Sequence, residues 1–313
     1  MKITKDIIKE TIKIGSVNNS DSVLDIAFGV DENFLKPAGI VISSILKCNN
    51  VNLLRFHIFV NEINKNEVNR YKKINGKADV TVHVFDDGIF KDMQERENLP
   101  KSMYYRLVAP HIISELSDKV LYLDADTLCL NKIDELINFR FDNNVACVIN
   151  HKSIDISSLN GIDIKNEDFY FNSGVMLINI PVWIRNCVLN DFLSLIGKKK
   201  YNYPDQDVLN VILEGKVSYI DGKFNRFMED VTAGDDTVFV HFTGAPKPWQ
   251  AWYEKGDIYD SFYNSSPWSG IPYDLPITSR QMRIYSKKLK KQKKIVAGYY
   301  WFFKYLFNKI LKK

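Results

Sequence analysis

Asp124 and Asp126 stand two residues apart, directly after the apolar run Val120–Leu123. At a strand end the backbone can turn so that both carboxylates face one ion, and hard oxygen donors of this kind suit Mg2+ or Mn2+. Aspartate is equally at home there as a turn or cap residue. The pair also fits a rival chemistry, because phosphotransferases that form an aspartyl-phosphate carry Asp-x-Asp-x-Thr/Val after an apolar strand. Leu128 occupies the place that pattern gives to Thr or Val, which counts against the rival.

His241 closes the run Thr237–His241 and opens Phe242-Thr-Gly244-Ala-Pro-Lys247-Pro-Trp249. A histidine at a strand end can reach a neighbouring strand's terminus, and Lys247 offers a point charge to a phosphate. Alone, such a histidine is more often a surface or satisfied core residue. Tyr170-Phe-Asn172-Ser-Gly174 sets a small polar turn before the apolar run Val175–Ile180, where backbone and amide groups can come close to a polar ligand. Asp205-Gln206-Asp207, followed by Asn210, sits at a helix start; capping accounts for one aspartate and not for the three polar residues together.

The elements that must position these groups alternate. Val23–Val30, Leu54–Val60, Val80–Phe85 and Lys119–Leu123 read as strands, and the segments 34–48, 64–74 and 102–114 between them read as helices. This predicts an α/β fold with a largely parallel sheet covered by helices, in which ligands bind beyond the carboxyl ends of the strands. A strand at Val145–Ile149, a helix opening near Pro181, a helix over Asp205–Leu213 and short strands at Val217–Ile220 and Thr237–His241 continue the pattern. Residues 246–276, rich in proline and aromatics, read as loops on a surface and not as a separate domain.

Charge is unevenly placed. The 313 residues, 45% of them hydrophobic, carry 42 Lys+Arg and 38 Asp+Glu, a net +4. Beyond Asp274 there is no acidic residue, while twelve cations lie between Arg280 and Lys313, leaving 30 cations against 38 anions over residues 1–278. An acidic body with a +12 tail argues for an anionic partner at the tail and against whole-surface nucleic-acid binding. Tyr299 to Phe303, Tyr305 and Phe307 add aromatic character there. Four scattered cysteines form no Cys-x-x-Cys pair, so neither a disulfide framework nor a zinc site is indicated and a reducing compartment fits. Residues 1–22 lack the apolar core of a secretory signal. The longest apolar stretch, Ile295–Phe303, is far short of the roughly 20 residues of a membrane-spanning helix.

Taken together, the motifs resemble glycosyltransferase family 8, the retaining nucleotide-sugar transferases, and within it the bacterial lipopolysaccharide core galactosyltransferases and glucosyltransferases. The resemblance runs from about Val23 to the C-terminus. It rests on Ala27-Phe-Gly-Val-Asp31-Glu-Asn33-Phe34, Tyr104-Tyr-Arg106-Leu107, Leu121-Tyr-Leu-Asp124-Ala125-Asp126, Tyr170-Phe-Asn172-Ser-Gly174-Val, Asp205-Gln206-Asp207-Val-Leu-Asn210 and His241-Phe-Thr-Gly244-Ala-Pro-Lys247-Pro-Trp249.

The resemblance implies a GT-A fold, a single Rossmann-like nucleotide-binding domain with a mixed, mainly parallel sheet and a C-terminal helical tail. Its expected boundaries are an N-terminal extension 1–22, a catalytic domain 23–277 and a basic, aromatic tail 278–313. The implied donor is UDP-galactose or UDP-glucose, the acceptor a lipid-linked core oligosaccharide and the cofactor Mn2+ or Mg2+. Asp124, Asp126 and His241 are the implied metal ligands. Asp31 and Asn33 are implied contacts to uridine and ribose, Arg106 and Ala125 to the nucleotide sugar, and Asn172 and Gly174 to the donor sugar. Lys247 and the Gly244 backbone belong at the leaving phosphate. Asp205 and Gln206 lie beneath the sugar ring, the former touching hydroxyls and the latter near the anomeric carbon. Where some members carry an aspartate after the strand ending at Ile149, this chain has Asn150. The tail is expected to hold the protein at the cytoplasmic face of the bacterial inner membrane, at about 1 kcal/mol per basic residue near an anionic surface. A solvated terminal helix with a dimer-forming aromatic face is the plainer alternative for the tail, and a nucleotide-sugar-binding, membrane-associated scaffold without turnover is the alternative function.

Overall fold

Eleven strands and ten α-helices are found among the described residues of the computed structural model, which are 5–15, 23–74, 78–95, 100–150, 162–165 and 169–311. The strands are β1 (Ile8–Ile14), β2 (Leu24–Gly29), β3 (Leu54–Val60), β4 (Asp79–Phe85), β5 (Lys119–Leu123), β6 (Thr127–Cys129), β7 (Ala146–Val148), β8 (Val175–Asn179), β9 (Val217–Tyr219), β10 (Arg226–Phe227) and β11 (Phe239–His241). The helices are α1 (Leu35–Cys48), α2 (Lys65–Tyr71), α3 (Ala109–Ile113), α4 (Asp134–Ile137), α5 (Ile180–Arg185), α6 (Val188–Ile196), α7 (Pro204–Leu213), α8 (Asp257–Asn264), α9 (Ser279–Lys291) and α10 (Ile295–Leu311).

Eight strands make one sheet in the order β1-β4-β3-β2-β5-β8-β7-β9, and β10-β11-β6 make a second, small one. The expected parallel core is present: β4, β3, β2 and β5 run parallel, as do β7 and β9. β1, β8 and β7 bring the antiparallel pairings. β8 runs against β5 because it starts where β5 ends, and the Asp124 N–H donates to the Gly174 carbonyl at 2.8 Å across that junction. β8 is buried along its length and β2 nearly so, as strands covered on both faces must be.

Several expectations change in detail. Part of the expected N-terminal extension, Ile8–Ile14, is an edge strand on β4; residues 1–4 and 16–22 lie outside the described residues. The helix expected over 102–114 is a 3-10 segment, Lys101–Leu107, followed by α3, with the break just ahead of Pro110, whose missing N–H cannot continue a helix. The helix near Pro181 is two helices, parted at Cys187, which has φ of 51°.

By internal contact the chain divides after His241 into two compact units, Met1–His241 and Phe242–Lys313. The segment expected as surface loops therefore belongs to a packed unit, with the rings of Phe242, Trp249 and Tyr273 all close to Tyr259. Lys288 of α9 donates to the carbonyls of Ala251 and Tyr253 at 2.9 and 2.5 Å, which fastens the expected tail to the same unit. The tail itself is a helical hairpin, not one helix. Lys293 with φ of 61° ends α9, and the N–H groups of Lys293 and Lys294 cap the carbonyls of Lys290 and Leu289.

The parallel core contains one buried ionic cluster. Asp25 on β2 accepts both Nε and Nη2 of Arg55 on β3, at 2.8 and 2.7 Å, and its Oδ1 lies 2.8 Å from His57 Nε2. His57 Nδ1 is 3.0 Å from Nε2 of His83 on β4, and the His83 ring stacks on Phe59. A carboxylate of this burial is tolerable only when paired so fully, and the pairing links three adjacent strands. Burial would raise the Asp25 pKa, but hydrogen bonds from His57 and Arg55 hold it below the usual carboxylate value. Burial, with His57 adding to it, pushes His83 down from 6.5 to about 3. The unfolded chain therefore takes up a proton at His83 that the folded chain refuses, so stability falls as pH drops from 6.5 toward 3. His83→Gln keeps an amide hydrogen-bond partner for His57 but does not titrate. The gap in thermal midpoint between wild type and this variant is expected to narrow steadily from pH 7 to pH 4, followed by circular dichroism; a constant gap would show that His83 does not set the acid limb.

Candidate active site

The two sheets deliver the acidic pair and the histidine to one place. Asp124 follows the last residue of β5, and Thr127 Oγ1 donates to the Asp124 carbonyl at 2.9 Å, holding the turn that leads into β6. β6 pairs antiparallel with β11 so that His241 lies opposite Thr127, one residue from Asp126. His241 Nε2 is consequently 3.1 Å from Asp126 Oδ1. One ligand atom from each of Asp124, Asp126 and His241 can be chosen so that all lie within 4.8 Å of one another.

Gly174 makes this approach possible. A Cβ there would stand 2.4 Å from His241 Cε1, 2.7 Å from Asp124 Oδ2 and 3.0 Å from Asn172 Oδ1. Only a residue without a side chain lets the start of β8 lie against the acidic pair.

Arg106, in the 3-10 segment, fills the space behind Asp124. Its Nε donates to Met103 O at 2.9 Å, and its Nη1 to Ser173 O and Oγ at 2.6 and 2.7 Å. Its Nη2 donates to Asp124 Oδ1 at 2.8 Å and lies 3.1 Å from Asp205 Oδ2. The guanidinium carbon stands 4.5 Å from the centre of the Tyr122 ring. Burial works against this charge, but Asp124, with Tyr122, Asp205 and Asp126, holds the guanidinium pKa above its ordinary value. Burial raises the Asp205 carboxyl, Arg106 opposes the rise, and Asp124 adds to it.

α7 supplies the third group. Pro204 opens it, and Asp207 Oδ2 accepts the Tyr203 N–H at 2.9 Å, so one of the three polar residues does act as a cap. Asn210 grips the backbone of Phe171, accepting its N–H at 2.8 Å and donating to its carbonyl at 2.9 Å. Gln206 is thereby held against the turn before β8, where its Oε1 accepts from Asn172 Nδ2 at 2.9 Å and from Ser173 N–H at 3.1 Å. Its Nε2 donates to Tyr170 OH at 2.8 Å, and that hydroxyl donates to Asp207 Oδ1 at 2.5 Å. Burial raises both Asp207 and Tyr170; the Tyr170 hydrogen bond offsets part of the rise at Asp207, whereas the Asp207 charge reinforces it at Tyr170.

The structure thus brings together Arg106, Asp124, Asp126, Asn172, Gly174, Asp205, Gln206 and His241. Ala125 is buried between the two aspartates in sequence. Asp31 lies after β2, where its Oδ1 accepts the N–H groups of Asn33 and Phe34 at 2.9 and 3.1 Å and shapes the start of α1; Asn33 is exposed. Asn150 bridges to Phe171, next to Asn172. Gly244 and Lys247 belong to the second unit; Gly244 has φ of 72°, and Lys247 Nζ donates to Phe242 O at 2.9 Å. Asn225, which sequence reasoning passed over, accepts at Oδ1 facing His241 Nδ1 at 2.9 Å. Nothing in Asp221-Gly-Lys-Phe-Asn225 marks it, and its position follows only from the β10-β11 pairing.

The donor set fits a divalent cation. Two carboxylates and an imidazole suit Mn2+ or Mg2+ and leave coordination positions for a ligand. With Asn225 accepting from Nδ1, His241 Nε2 is the ring nitrogen left facing the Asp126 carboxylate, where a shared cation would be held.

Comparison with known proteins places the chain by family and fold. A model of glycosyl transferase family 8 matches residues 25–253, and one of the family 8 C-terminal region matches residues 256–309. The chain is 32% identical to a lipopolysaccharide 1,2-glucosyltransferase of Escherichia coli, over 96% of this chain and 95% of that protein. It is 29% identical to a lipopolysaccharide 1,3-galactosyltransferase of Salmonella typhimurium, over 98% of each. Among solved structures, the galactosyltransferase LgtC in complex with donor and acceptor sugar analogs matches with a TM-score of 0.67 at 21% identity, over 78% of this chain and 96% of that one. The last likeness identifies the fold as GT-A.

Gly174→Ala tests the close approach. Forcing a methyl into a packed site costs about 1–3 kcal/mol, and a domain of this size loses roughly 2–4 °C of midpoint per kcal/mol. The variant is expected to melt several degrees lower and to bind Mn2+ more weakly by isothermal titration. Unchanged values in both measurements would show that the contact is not as tight as described.

Proposed function

The chain belongs to glycosyl transferase family 8, and from that membership we propose that it moves galactose or glucose from a UDP-sugar to a hydroxyl of the lipopolysaccharide core oligosaccharide, with retention of configuration. The observation that carries the proposal is the cluster of Asp124, Asp126 and His241, with atoms within 4.8 Å, set beside the buried Asp205 and Gln206. The first three residues would hold Mn2+ or Mg2+, which when bound neutralises charge developing on the leaving diphosphate.

The chain's own groups divide the remaining work. Asp31 and Asn33, at the carboxyl end of β2, receive uridine and ribose, and Ala125 lines the donor between the two aspartates. Arg106 serves the nucleotide sugar through Asp124 and Asp205, since its nitrogens are already taken by protein groups. Asn172 and the Gly174 backbone meet the donor sugar, and Asp205 its hydroxyls. Lys247, six residues beyond His241 in sequence, and the Gly244 backbone take the leaving phosphate.

Gln206 lies under the anomeric carbon. Neutral and already accepting two hydrogen bonds, its carbonyl oxygen is a poor nucleophile and better suited to stabilise an oxocarbenium-like centre by its partial charge. Front-face attack by the acceptor hydroxyl, with the departing phosphate oxygen taking its proton, follows. The assembled ligand set supports turnover over the role of a binding scaffold.

α10 supports the expected site of action. No helix among the described residues is long and apolar enough to cross a membrane. Val296, Phe303, Phe307 and Ile310 are 86%, 64%, 66% and 71% exposed, and with Tyr299 and Tyr300 they form one stripe along the helix. Gly298 sits on the opposite side, where a Cβ would meet Lys290 Cγ at 2.5 Å, and its carbonyl accepts from Ser286 Oγ at 2.8 Å. The side of α10 turned from α9 is therefore the apolar one, edged by lysines, as an interfacial helix requires. We read it as the contact with the anionic inner face of the bacterial inner membrane, with the protein cytoplasmic and peripheral.

Two measurements test these readings. UDP release from UDP-galactose or UDP-glucose is expected to need a divalent cation, to vanish in excess chelator and in Asp126→Ala or His241→Ala, and to give a product of the donor's anomeric configuration by NMR. Undiminished turnover in chelator, or an inverted product, would overturn the assignment. For the tail, truncation would unpick Lys288 from its carbonyl partners, so substitution is the cleaner probe. Phe303→Ser with Phe307→Ser and Ile310→Ser should weaken binding to anionic vesicles and slow transfer to a lipid-linked acceptor, while hydrolysis of the soluble donor stays nearly intact. Raising salt should weaken the initial attraction of the unaltered protein. Equal vesicle binding by the triple variant would sink the membrane reading.

A further inference from the structure

We propose that Asn225 is the positioning residue of the cation site, fixing the tautomer and ring orientation of His241 and tying that ring to Gln206. The inference rests on the cation-site reading above and concerns a residue outside the cluster itself.

Asn225 is buried at the end of a 3-10 turn, Gly222–Asn225, whose start is capped by Asp221 accepting the Lys223 N–H at 2.8 Å. Its two amide ends are distinguishable because backbone donors fix their neighbours. The Gly174 N–H donates to Asn172 at 3.0 Å, so the atom there is the carbonyl oxygen. The Ser173 N–H donates to Gln206 at 3.1 Å, so that atom is the Gln206 oxygen, and Asn172 directs its NH2 to the same oxygen at 2.9 Å. Facing the Asn172 oxygen at 3.0 Å, Asn225 must present its own NH2, which leaves its carbonyl for His241 Nδ1 at 2.9 Å. Nδ1 therefore carries a hydrogen, and Nε2 is the ring nitrogen that faces Asp126 Oδ1 at 3.1 Å, on the side where the cation would be held.

The result is a chain of one polarity. His241 donates to Asn225, Asn225 to Asn172, Asn172 to Gln206, Gln206 to Tyr170, and Tyr170 to the Asp207 carboxylate. Amide and hydroxyl dipoles aligned in this way polarise one another, and an acceptor on Nδ1–H strengthens the opposite nitrogen as a metal ligand. Reversing any one amide would set donor against donor or acceptor against acceptor at the next link. Gln206 and His241, which approach the donor from different elements, are thus held in a common register.

The test uses the full chain with Mn2+ alone as the probe, following free Mn2+ by electron paramagnetic resonance, and reads the His241 tautomer in the metal-free protein from long-range 1H–15N spectra. Asn225→Leu, of similar volume but with no acceptor, is expected to weaken Mn2+ binding by about 10- to 100-fold and to shift His241 away from the pure Nδ1–H form. Asn225→Asp keeps an acceptor toward Nδ1–H but sets a carboxylate oxygen against the Asn172 oxygen, so it should recover the Nδ1–H form and only part of the affinity. Wild-type affinity in a folded Asn225→Leu protein, or an Nε2–H tautomer in the wild type, overturns the proposal. If Asn225→Leu does not fold, Asn225→Asp decides alone, and loss of the hydrogen on His241 Nδ1 with that carboxylate in place overturns it. Failure of the wild type to bind Mn2+ would overturn the cation-site reading instead, and the tautomer spectra would then decide the part played by Asn225.

Discussion

Two carboxylates from distant parts of the chain, Asp124 after β5 and Asp205 on α7, can stand side by side only because Arg106 lies between them. Its Nη2 reaches Asp124 at 2.8 Å and Asp205 at 3.1 Å, and its Nη1 holds the Ser173 carbonyl between them in the sequence. Without the guanidinium, two buried or half-buried like charges would repel in a medium that screens them poorly, and one would be forced to take up a proton. Lysine could not replace it, since an ammonium on a flexible stem lacks the planar fork that meets several acceptors at once. Arginine therefore joins three segments by one charge, and the positions of the acidic pair, the turn before β8 and the start of α7 all follow from it.

Around that charge the remaining contacts are neutral and directional. Asn172, Gln206, Asn210 and Asn225 together span the space between α7, the turn before β8 and β11 without adding charge. Amides suit this place because each carries both a donor and an acceptor, so a network can be satisfied inside the protein with every orientation fixed. The cost of leaving one of these groups without a partner, about 1–3 kcal/mol, keeps the whole set in register. Gly174 plays the complementary part by leaving room for that register to exist.

Much of this was legible in the sequence, for reasons that differ by element. Strands such as Leu54–Val60 and Lys119–Leu123 were found at their observed bounds because β-branched and aromatic runs bounded by polar residues have few alternatives. Asp124, Asp126 and His241 could be named from type and order alone, yet their meeting depends on β6, a three-residue strand too short to leave a pattern. Asn225 left no signal at all, since a buried amide in a turn has the same composition as an exposed one. The tail's cations were plain in the sequence, but its hairpin was not, because the break at Lys293 relies on a left-handed residue where glycine would have been the expected sign. The 3-10 segment carrying Arg106 has a residue pattern that an α-helix shares, so sequence does not separate the two.

The places where local rules are broken are the same places where the site stands. A fold alone has no need of a buried histidine set 3.1 Å from an aspartate, nor of an arginine buried among carboxylates when apolar residues of similar volume would pack as well. By contrast the Asp25–Arg55–His57 cluster satisfies its carboxylate completely with partners on adjacent strands. Asp124 differs from Asp25 in just this respect, being half-buried and paired on one oxygen by Arg106 while its other oxygen faces the Gly174 backbone, where a Cβ would stand 2.7 Å away. Conflicts of this kind persist where a ligand's charge resolves them. They gather at the carboxyl end of β5, the edge at which open α/β sheets bind their ligands.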